Sequence, residues 1–518
     1  MILSRIVFVH CNPRGSGIFR EIVRGRASTV AFAKTRRGGC PVKTIMIEVP
    51  SALNGLVAGL QAVIDSVMVQ VERGRAGGPV DYAAFQRDVA AKLGEVERRA
   101  DETALAALDV EAPRVVINGV LHARVLRSAT SYKGLAGPAV VERTLYRPVG
   151  KRNAPVVDPL ALRAGTVLGE WLPATALEMA FEVQQRTSRE AEASGRRLGR
   201  LPYSHASFER VAHAVGERYV GQHQRIEEAL IKEFKVPVAA RNVTISLDRV
   251  SLPVEEPRAR PVGRPAKDAP KRPIARVFRM AYCGTVTLHD EEGEAVYTIR
   301  YGTMPDGDPE ALCVGMADDA AAILSQRPDL KIALLCDGAK EMWNLLEAQF
   351  LTAPFDAQKY ILTRLIDFWH VVEKLAPAAK VLAGEEAAKP LLSRWRLLLR
   401  NSSKARTTIL DELIASGKDL VRVGDNRPVY EAITYLTNNA ERMDYAAARR
   451  QGLPIGSGSV EATCKSLVDV RMKRPGSRWK NRTGEHTIHL RALALSDRWD
   501  DAMKHVFERP RTIIRVAA

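Results

Sequence analysis

Three acidic residues, distant from one another in the chain, each stand where a regular element begins or ends. Asp337 follows an apolar run, Asp248 follows alternating apolar residues, and Glu461 lies in a segment opened by the Gly-Ser-Gly-Ser run 456–459. Mg²⁺ prefers oxygen ligands, and two such ions about 3.5–4 Å apart stabilise both the attacking and the leaving oxygen of a phosphoryl transfer. The acids therefore predict a site for two Mg²⁺ or Mn²⁺ ions, without a covalent nucleophile from the protein.

Any one of these acids, taken singly, is more often a solvated residue at the end of a strand or in a turn, so the combination carries the prediction. Asp337 is the sharpest of the three, because five apolar residues precede it and Gly338 follows it. Asp290, Glu255 and Glu256 are alternatives to Asp248.

A basic segment near the C-terminus suits a polyanionic partner. Six positive charges and no acid occur between residues 471 and 482, with Trp479 among them. Lys and Arg contact phosphates without reading base sequence, so the segment predicts a DNA-binding surface beside Glu461; a solvated helix face is the alternative. The predicted DNA-binding residues are Lys465, Arg471, Lys473, Arg474, Arg478, Trp479, Lys480 and Arg482.

Composition and charge limit the classes of protein to which these predictions can apply. The chain has 518 residues, of which 46% are hydrophobic and 26% charged, as in soluble proteins of several domains. The formal charge of +17 favours a polyanion, although residues 1–45 alone contribute +8. The six cysteines form no CxxC pair, so neither a zinc site nor a disulfide framework is predicted, and a reducing cytoplasm fits.

No membrane partner is expected from the apolar segments. The most apolar helix, at about 56–71, is interrupted by Gln61 and Asp65 and is shorter than a membrane span, and the N-terminus lacks the layout of a signal peptide. Walker A, HExxH, GxSxG and dinucleotide-binding motifs are missing from the sequence in a fitting context, which removes support for those enzyme classes.

Apolar periodicity divides the N-terminal half into four segments. Residues 1–45 are Gly- and Arg-rich and are expected to be a basic arm, or to precede a true start at Met46. Helical spacing predicts a helical region at 46–112, short strands with Gly-containing turns predict a small β module at 113–155, and two or three helices of a DNA-binding or linker region follow at 156–238.

The C-terminal half is predicted to hold an α/β core. Within 239–377 the order is strand, strand, strand, helix, strand and helix, which matches an RNase H-like fold. Residues 378–450 are predicted to be an all-α insertion. Residues 451–518 return to the core with a long helix from about Ser457 that bears Glu461, followed by a basic tail.

Three segments resemble bacterial insertion-sequence transposases of the ISKra type. They are Asp337-Gly338-Ala339-Lys340, Asp367-Phe368-Trp369-His370 and the run LPIGSGSVEATCKSLVDVRMKRPGSRW at 453–479, which is the most specific. The resemblance extends more weakly to about residue 50. It implies an RNase H-like fold with a DDE triad, and it places the metal ligands on Asp248, Asp337 and Glu461.

The resemblance also bears on His370 and on zinc. In the related Mutator-like transposases a short motif ending in His follows the second acid, and Asp367 and His370 occupy the similar position. His370 is therefore expected to orient a phosphate or the scissile strand, with a packed structural histidine as the alternative. Members of the family commonly carry Cys pairs upstream, but this chain has none, so no zinc is predicted.

These inferences predict a bacterial, cytoplasmic DDE transposase. It is expected to bind the terminal repeats of its element as double-stranded DNA, to cut phosphodiester bonds, and to join the freed 3′ ends to target DNA. Because two ends must be held together, a homo-oligomer is expected. The alternatives are a catalytically inactive DNA-binding protein derived from a transposase, and an RNase H-like nuclease without strand joining.

Overall fold

The chain has the mixed α/β class expected from its sequence. The computed structural model describes residues 3–11, 31–37, 40–256, 263, 276–352, 355, 360, 362–508 and 514–517. They belong to two compact units, one of Met1–Glu182, Ser188–Ala214 and Phe507–Ala518, the other of Val183–Thr187 and Val215–Val506.

The first unit begins with a three-stranded antiparallel sheet. Its strands are β1 (Leu3–Cys11), β2 (Ala31–Arg37) and β3 (Cys40–Pro50), and β3 is central. The described part of residues 1–45, expected to be a basic arm or to precede a true start at Met46, therefore forms strands, which its Gly and Arg content hid. Residues 1–2, 12–30 and 38–39 of that segment lie outside the described residues.

A helical hairpin follows, made of α1 (Asn54–Arg75) and α2 (Tyr82–Ala106). The two helices approach closely at Gly59, where a Cβ atom would lie 3.0 Å from Cγ2 of Val96. With the preceding 3-10 turn, the first helix spans 25 residues and is long and apolar enough to cross a membrane, so the prediction that it is too short is wrong. A single helix of this kind is weak support for a membrane role.

The second sheet of this unit is also antiparallel. It contains β4 (Arg114–Ile117), β5 (Val120–Gly134), β6 (Gly137–Pro148) and a short strand, Ile514–Val516, that pairs with β4. Asn118 and Gly119 both have positive φ, 48° and 83°, as a two-residue hairpin turn between β4 and β5 requires.

Five helices follow β6 in the chain before residue 239, rather than the two or three expected. They are α3 (Pro159–Ala164), α4 (Pro173–Gln185), α5 (Ser188–Leu198), α6 (His205–Val220) and α7 (His223–Glu233).

The second unit is built on a five-stranded mixed sheet. The strands are β7 (Asn242–Glu255), β8 (Arg276–His289), β9 (Ala295–Thr303), β10 (Lys331–Cys336) and β11 (Leu362–Ile366). Their order is β9-β8-β7-β10-β11, with β7, β8 and β9 antiparallel and β7, β10 and β11 parallel. The helices α8 (Pro309–Gln326) and α9 (Lys340–Phe350) connect β9 to β10 and β10 to β11.

Between β11 and residue 451 the described regular elements are helices, apart from an isolated β-bridge between Val423 and Asn426. They are α10 (Phe368–Asn401), α11 (Ala405–Ala415), α12 (Pro428–Asn438) and α13 (Tyr445–Arg450), with one 3-10 turn. α10 is interrupted at Gly384, whose φ of 77° and ψ of 169° are not helical. Trp369 and Arg396 are 27 residues apart, about 40 Å along a straight helix, yet the Arg396 guanidinium carbon lies 4.7 Å from the Trp369 ring centroid. The two halves of α10 therefore fold back on each other.

The C-terminal part of the unit is a broken helical segment rather than the single long helix expected. It comprises α14 (Gly458–Thr463), a π-helical stretch (Cys464–Asp469), α15 (Val470–Met472), α16 (Asn481–Leu495) and α17 (Trp499–Phe507). This segment packs closely on β9, because at Gly302 a Cβ atom would lie 2.6 Å from side-chain atoms of both Leu467 and Ile488.

Candidate active site

Asp248 in β7 lies near Asp337, the residue that directly follows the neighbouring strand β10. β7 and β10 are parallel and pair Ile245 with Leu334, so three residues further along each chain places Asp248 beside Asp337. Asp337 comes directly after β10, as predicted from its apolar run. The expectation that Asp248 follows its strand is wrong, because β7 continues to Glu255 and Asp248 pairs with Cys283 of β8 in mid-strand.

Asp367 brings a further carboxylate to this edge of the sheet. It directly follows β11, the parallel neighbour of β10, and its backbone N–H donates to the Cys336 carbonyl at 2.8 Å. The Asp367 side chain is 1% exposed and accepts hydrogen bonds from two backbone N–H groups, that of His370 at 2.9 Å and that of Ser457. It therefore caps α10 and holds the loop that leads to α14.

That loop delivers Glu461 to the same place. The Phe368 N–H donates to the Ile455 carbonyl at 3.0 Å, and Glu461 lies in the first turn of α14. Ligand atoms of Asp367, His370 and Glu461 lie within 4.8 Å of one another. No other group of three acidic, His or Cys side chains in the described part of the chain meets this spacing. The structure thus brings Glu461 closest to Asp367 and His370, and Asp248 and Asp337 lie outside that close group.

Cysteine thiols, which the sequence analysis did not assign to the site, border Asp248. The Cys464 thiol donates to Oδ2 of Asp248 at 3.6 Å, and the Cys336 thiol donates to the Leu247 carbonyl at 2.9 Å. Both cysteines are buried. Metal-ligand spacing could not have found them, because they stand 128 residues apart; the usable signal was their position three residues after Glu461 and directly before Asp337.

The acids carry unequal electrostatic environments. Burial raises the pKa of Asp248, and the nearby Asp337 carboxylate raises it further. Burial also acts to raise the pKa of Asp367, but the interactions with His370 and Ser457 outweigh it and lower that pKa to about 2. Asp367 in turn raises the pKa of His370 to about 9; the Nδ1 atom of His370 lies 3.3 Å from Oδ1 of Asp367. At neutral pH this pair is an ion pair.

Of the predicted DNA-binding residues, Arg471 is buried and Trp479 is partly buried. Arg471 is 6% exposed; its guanidinium stacks over the Trp479 ring at 5.0 Å, and its Nε–H donates to the Val183 carbonyl at 2.9 Å. The Trp479 indole donates to the Met472 carbonyl at 3.0 Å, and its backbone is hydrogen-bonded to Pro253 and Glu255 of β7. The burial of Arg471 contradicts the prediction that it contacts DNA, whereas for Trp479 that contact stays a prediction; the contacts of both residues hold the chain beside β7.

Several of the remaining basic residues have acidic partners. Lys473 pairs with Asp469 at 2.8 Å, Arg478 approaches Glu255 at 3.9 Å, and Arg482 pairs with Glu217. The Nε–H of Arg474 donates to the Val470 carbonyl at 3.3 Å. Lys465 and Lys480 are exposed. The segment is therefore less strongly positive in the fold than its sequence indicates.

Comparison with known proteins leaves the family of this chain open. No protein-family model and no curated protein matches it. A solved structure of Mos1 transposase in a paired-end complex with the left transposon end is 14% identical, with a TM-score of 0.14, over 55% of this chain and 79% of that chain. A likeness at that TM-score supports no conclusion about fold or function.

Proposed function

We propose that the chain is a metal-dependent DNA transposase of the DDE type with an RNase H-like core. The observation that carries this proposal is the placement of Asp248 in β7 beside Asp337, which directly follows the parallel strand β10, with α14 bearing Glu461 after the loop that Asp367 holds. The sheet supports it as well, because an antiparallel β7-β8-β9 set extended by parallel β10 and β11 is the order that an RNase H-like fold requires. The substrate proposed is double-stranded DNA, both element ends and target.

The residues present fit a pair of Mg²⁺ or Mn²⁺ ions. Asp248, Asp337 and Glu461 offer carboxylate oxygens, the ligands that these hard cations prefer. Burial and the Asp337 carboxylate raise the pKa of Asp248, because both make its negative charge less favourable. A bound cation would compensate that charge. The Glu461 side chain has no hydrogen bond or ion pair within the described ranges, so its carboxylate oxygens are available. Bound ions would activate a water or a 3′-hydroxyl and stabilise the leaving oxygen.

The protein's own groups would position the DNA strand. Asp367 is already engaged by Ser457 and His370, so it acts as a positioning residue that fixes the loop before Glu461. The His370 imidazolium, with a pKa of about 9, would donate a hydrogen bond to a non-bridging oxygen of the scissile phosphate. Each cleavage or joining step would be an in-line displacement at phosphorus, so no covalent protein intermediate forms.

An assay with purified protein, Mg²⁺ and DNA carrying its element's ends tests this. We expect nicked and joined products from the wild type. Asp248→Asn and Asp337→Asn should each lose activity by about 10²-fold or more while still binding DNA. Asp290→Asn is the matched control and should remain active, since Asp290 is hydrogen-bonded in the β8–β9 turn.

The same assay separates the alternatives. Cleavage without joining would replace the proposal with a nuclease. DNA binding without any cleavage by the wild type would indicate an inactive derivative of a transposase.

A further inference from the structure

We propose that Arg396, Arg400 and Arg449, gathered beside Trp369, bind the phosphate backbone of the DNA strand that enters the active site. This group is called the Trp369 arginine cluster below. The inference rests on the proposed function, since it names where that function's substrate lies, and it moves the main DNA contact from the basic segment 471–482 to the helical region that follows β11.

The fold of α10 creates the cluster. Because α10 turns back at Gly384, its C-terminal half returns to its own beginning. The Arg396 guanidinium lies 4.7 Å from the Trp369 ring centroid, and that of Arg400 lies 5.6 Å from it and 4.8 Å from the Phe368 ring centroid. A guanidinium stacked on an aromatic face keeps its N–H donors at the edge, where they can meet phosphate oxygens in a fixed geometry.

A third guanidinium joins from α13. Arg449 is exposed, and its Nη1 donates to the Arg400 carbonyl at 3.2 Å and to Oδ1 of Asn401 at 3.0 Å. These acceptors at the end of α10 hold Arg449 beside two like charges. Burial and the charges of Arg396 and Arg449 lower the pKa of Arg400, which agrees with mutual repulsion.

The cluster lacks the acidic partners that other arginines have. Within the ranges that the structure describes, no carboxylate lies within ion-pair distance of Arg396, Arg400 or Arg449. Arg394, two residues from Arg396 on the same helix, pairs with Glu412 at 2.5 Å. Three cations held together without a carboxylate leave repulsion that a polyanion would relieve, and this distinguishes the cluster from Arg478 and Arg482.

Its position indicates which polyanion. Trp369 is 47% exposed and lies between Asp367 and His370 of the active-site edge. A Cβ atom on Gly456 would lie 3.6 Å from the Trp369 ring, so the cluster borders the loop that delivers Glu461. A strand with its scissile phosphate at the carboxylates would therefore continue over the cluster, which presents an open surface suited to successive backbone phosphates.

The test measures DNA binding as a function of salt, without Mg²⁺, by fluorescence anisotropy of a labelled element end. Each phosphate contact contributes about 0.9 to the slope of log K against log salt for duplex DNA. The double variant Arg396→Gln/Arg400→Gln should lower the magnitude of that slope by about two such contributions and weaken binding at every salt concentration. Arg394→Gln is the matched control and should leave the slope unchanged.

A second variant tests whether weaker binding by the double variant comes only from unfolding. Arg449→Gln changes an exposed side chain and should remove about one contribution, about 0.9, from the slope while keeping the wild-type melting temperature. An unchanged slope in folded Arg449→Gln and in the double variant would overturn the inference, as would an equal loss in Arg394→Gln.

The readouts separate this inference from the proposed function. If wild-type protein cleaves and joins DNA but the variants keep the wild-type salt dependence of DNA binding, the inference about the Trp369 arginine cluster is wrong and the transposase proposal is unaffected. If the variants reduce the salt dependence of DNA binding and the wild type does not cleave DNA, the inference about the cluster is supported and the proposed chemistry is wrong. Absence of salt-dependent DNA binding by the wild type would overturn the cluster. RNA bound more tightly than DNA, with the same loss of slope, would also overturn it as a DNA site.

Discussion

The Cys464 thiol donates a hydrogen bond to the Asp248 carboxylate, with 3.6 Å between Sγ and Oδ2. Cys464 follows Glu461 by three residues, so this bond joins the strand that bears one proposed metal ligand to the helical segment that bears another. The contact fixes one Asp248 oxygen, while the other accepts from the Arg249 N–H at 2.6 Å. Asp248 is therefore positioned before any cation binds.

Cys464→Ala should weaken the response to metal more than Cys464→Ser does, because serine keeps a hydrogen-bond donor. A net loss of about 0.5–1.5 kcal/mol corresponds to a two- to tenfold rise in the Mg²⁺ concentration needed for half-maximal cleavage. A Mg²⁺ titration of the cleavage rate measures this. Cys313→Ala, which changes a buried thiol in α8, is the control. Identical Mg²⁺ midpoints for Cys464→Ala and wild type would show that the thiol positions nothing.

The ion pair of Asp367 and His370 should make stability depend on pH. Because Asp367 raises the pKa of His370 from 6.5 to about 9, the folded state holds that proton more tightly than the unfolded chain. The stabilisation is then fully present below pH 6.5 and is lost as the pH rises through about 9. The difference in free energy of unfolding between wild type and His370→Gln should shrink over that range, measured by urea unfolding in EDTA. A difference that stays constant from pH 6 to 9.5 would contradict the ion pair.

The sequence predicted those elements around the site that a local pattern of apolar residues or a helix cap marks. Alternating or continuous apolar residues predict strands at 277–288, 295–301 and 332–336, and β8, β9 and β10 lie within two residues of these bounds. The start of α8 was also predictable, since Asp308 caps it by accepting from the Ala311 N–H at 2.9 Å and Pro309 opens it.

Features that depend on long-range pairing were missed. β11 has only five residues, with Thr363 and Arg364 inside it, and its strand character comes from parallel pairing with β10. Without that strand, Asp367 could not be placed beside Asp337. The basic segment was misread for a related reason: charge along a sequence does not tell which side chain turns inward, and Arg471 turns inward to stack on Trp479.

The buried ion pair between Arg498 and Asp319 should matter far more to stability than exposed pairs do. Arg498 is 5% and Asp319 1% exposed, and two N–H···O contacts join them at 3.0 and 2.5 Å. Arg498→Met would leave Asp319 buried without its partner and should cost about 3–5 kcal/mol in free energy of unfolding. Arg498→Met/Asp319→Asn should cost less than the sum of the two single variants, because Asp319 and Arg498 no longer leave each other uncompensated; Glu227, 3.7 Å from Arg498, loses its partner in Arg498→Met and in the double variant alike.

Urea unfolding of the single and double variants measures that coupling. Arg279→Met is the control, because Arg279 forms exposed pairs with Glu256 and Asp306 and should cost about 1 kcal/mol or less. If Arg498→Met costs no more than Arg279→Met, the buried pair does not hold α8 to the segment before α17.

Gly338, the residue after Asp337, leaves room for the Tyr435 ring of α12. A Cβ atom at residue 338 would lie 2.6 Å from both Cε2 and the hydroxyl oxygen of Tyr435. Gly338→Ala should therefore force apart α12 and the loop that carries Asp337, at about 1–3 kcal/mol of stability, and should lower cleavage activity by displacing the carboxylate. Tyr435→Ala in the same chain should restore much of the activity, because it removes the atoms that clash.

Tyr435→Phe and Tyr435→Ala serve as the controls for this rescue. The Tyr435 hydroxyl has no hydrogen-bond partner in the described part of the chain, so Tyr435→Phe should keep wild-type stability and cleavage. Tyr435→Ala alone should remain active, since no contact that it removes holds Asp337 directly: Oδ1 of Asp337 accepts from the Ala339 N–H at 2.8 Å, and its carbonyl accepts from the Trp343 indole at 2.7 Å. Equal loss of cleavage in Gly338→Ala and in Gly338→Ala/Tyr435→Ala would mean that the glycine is needed for some other reason than space for this ring.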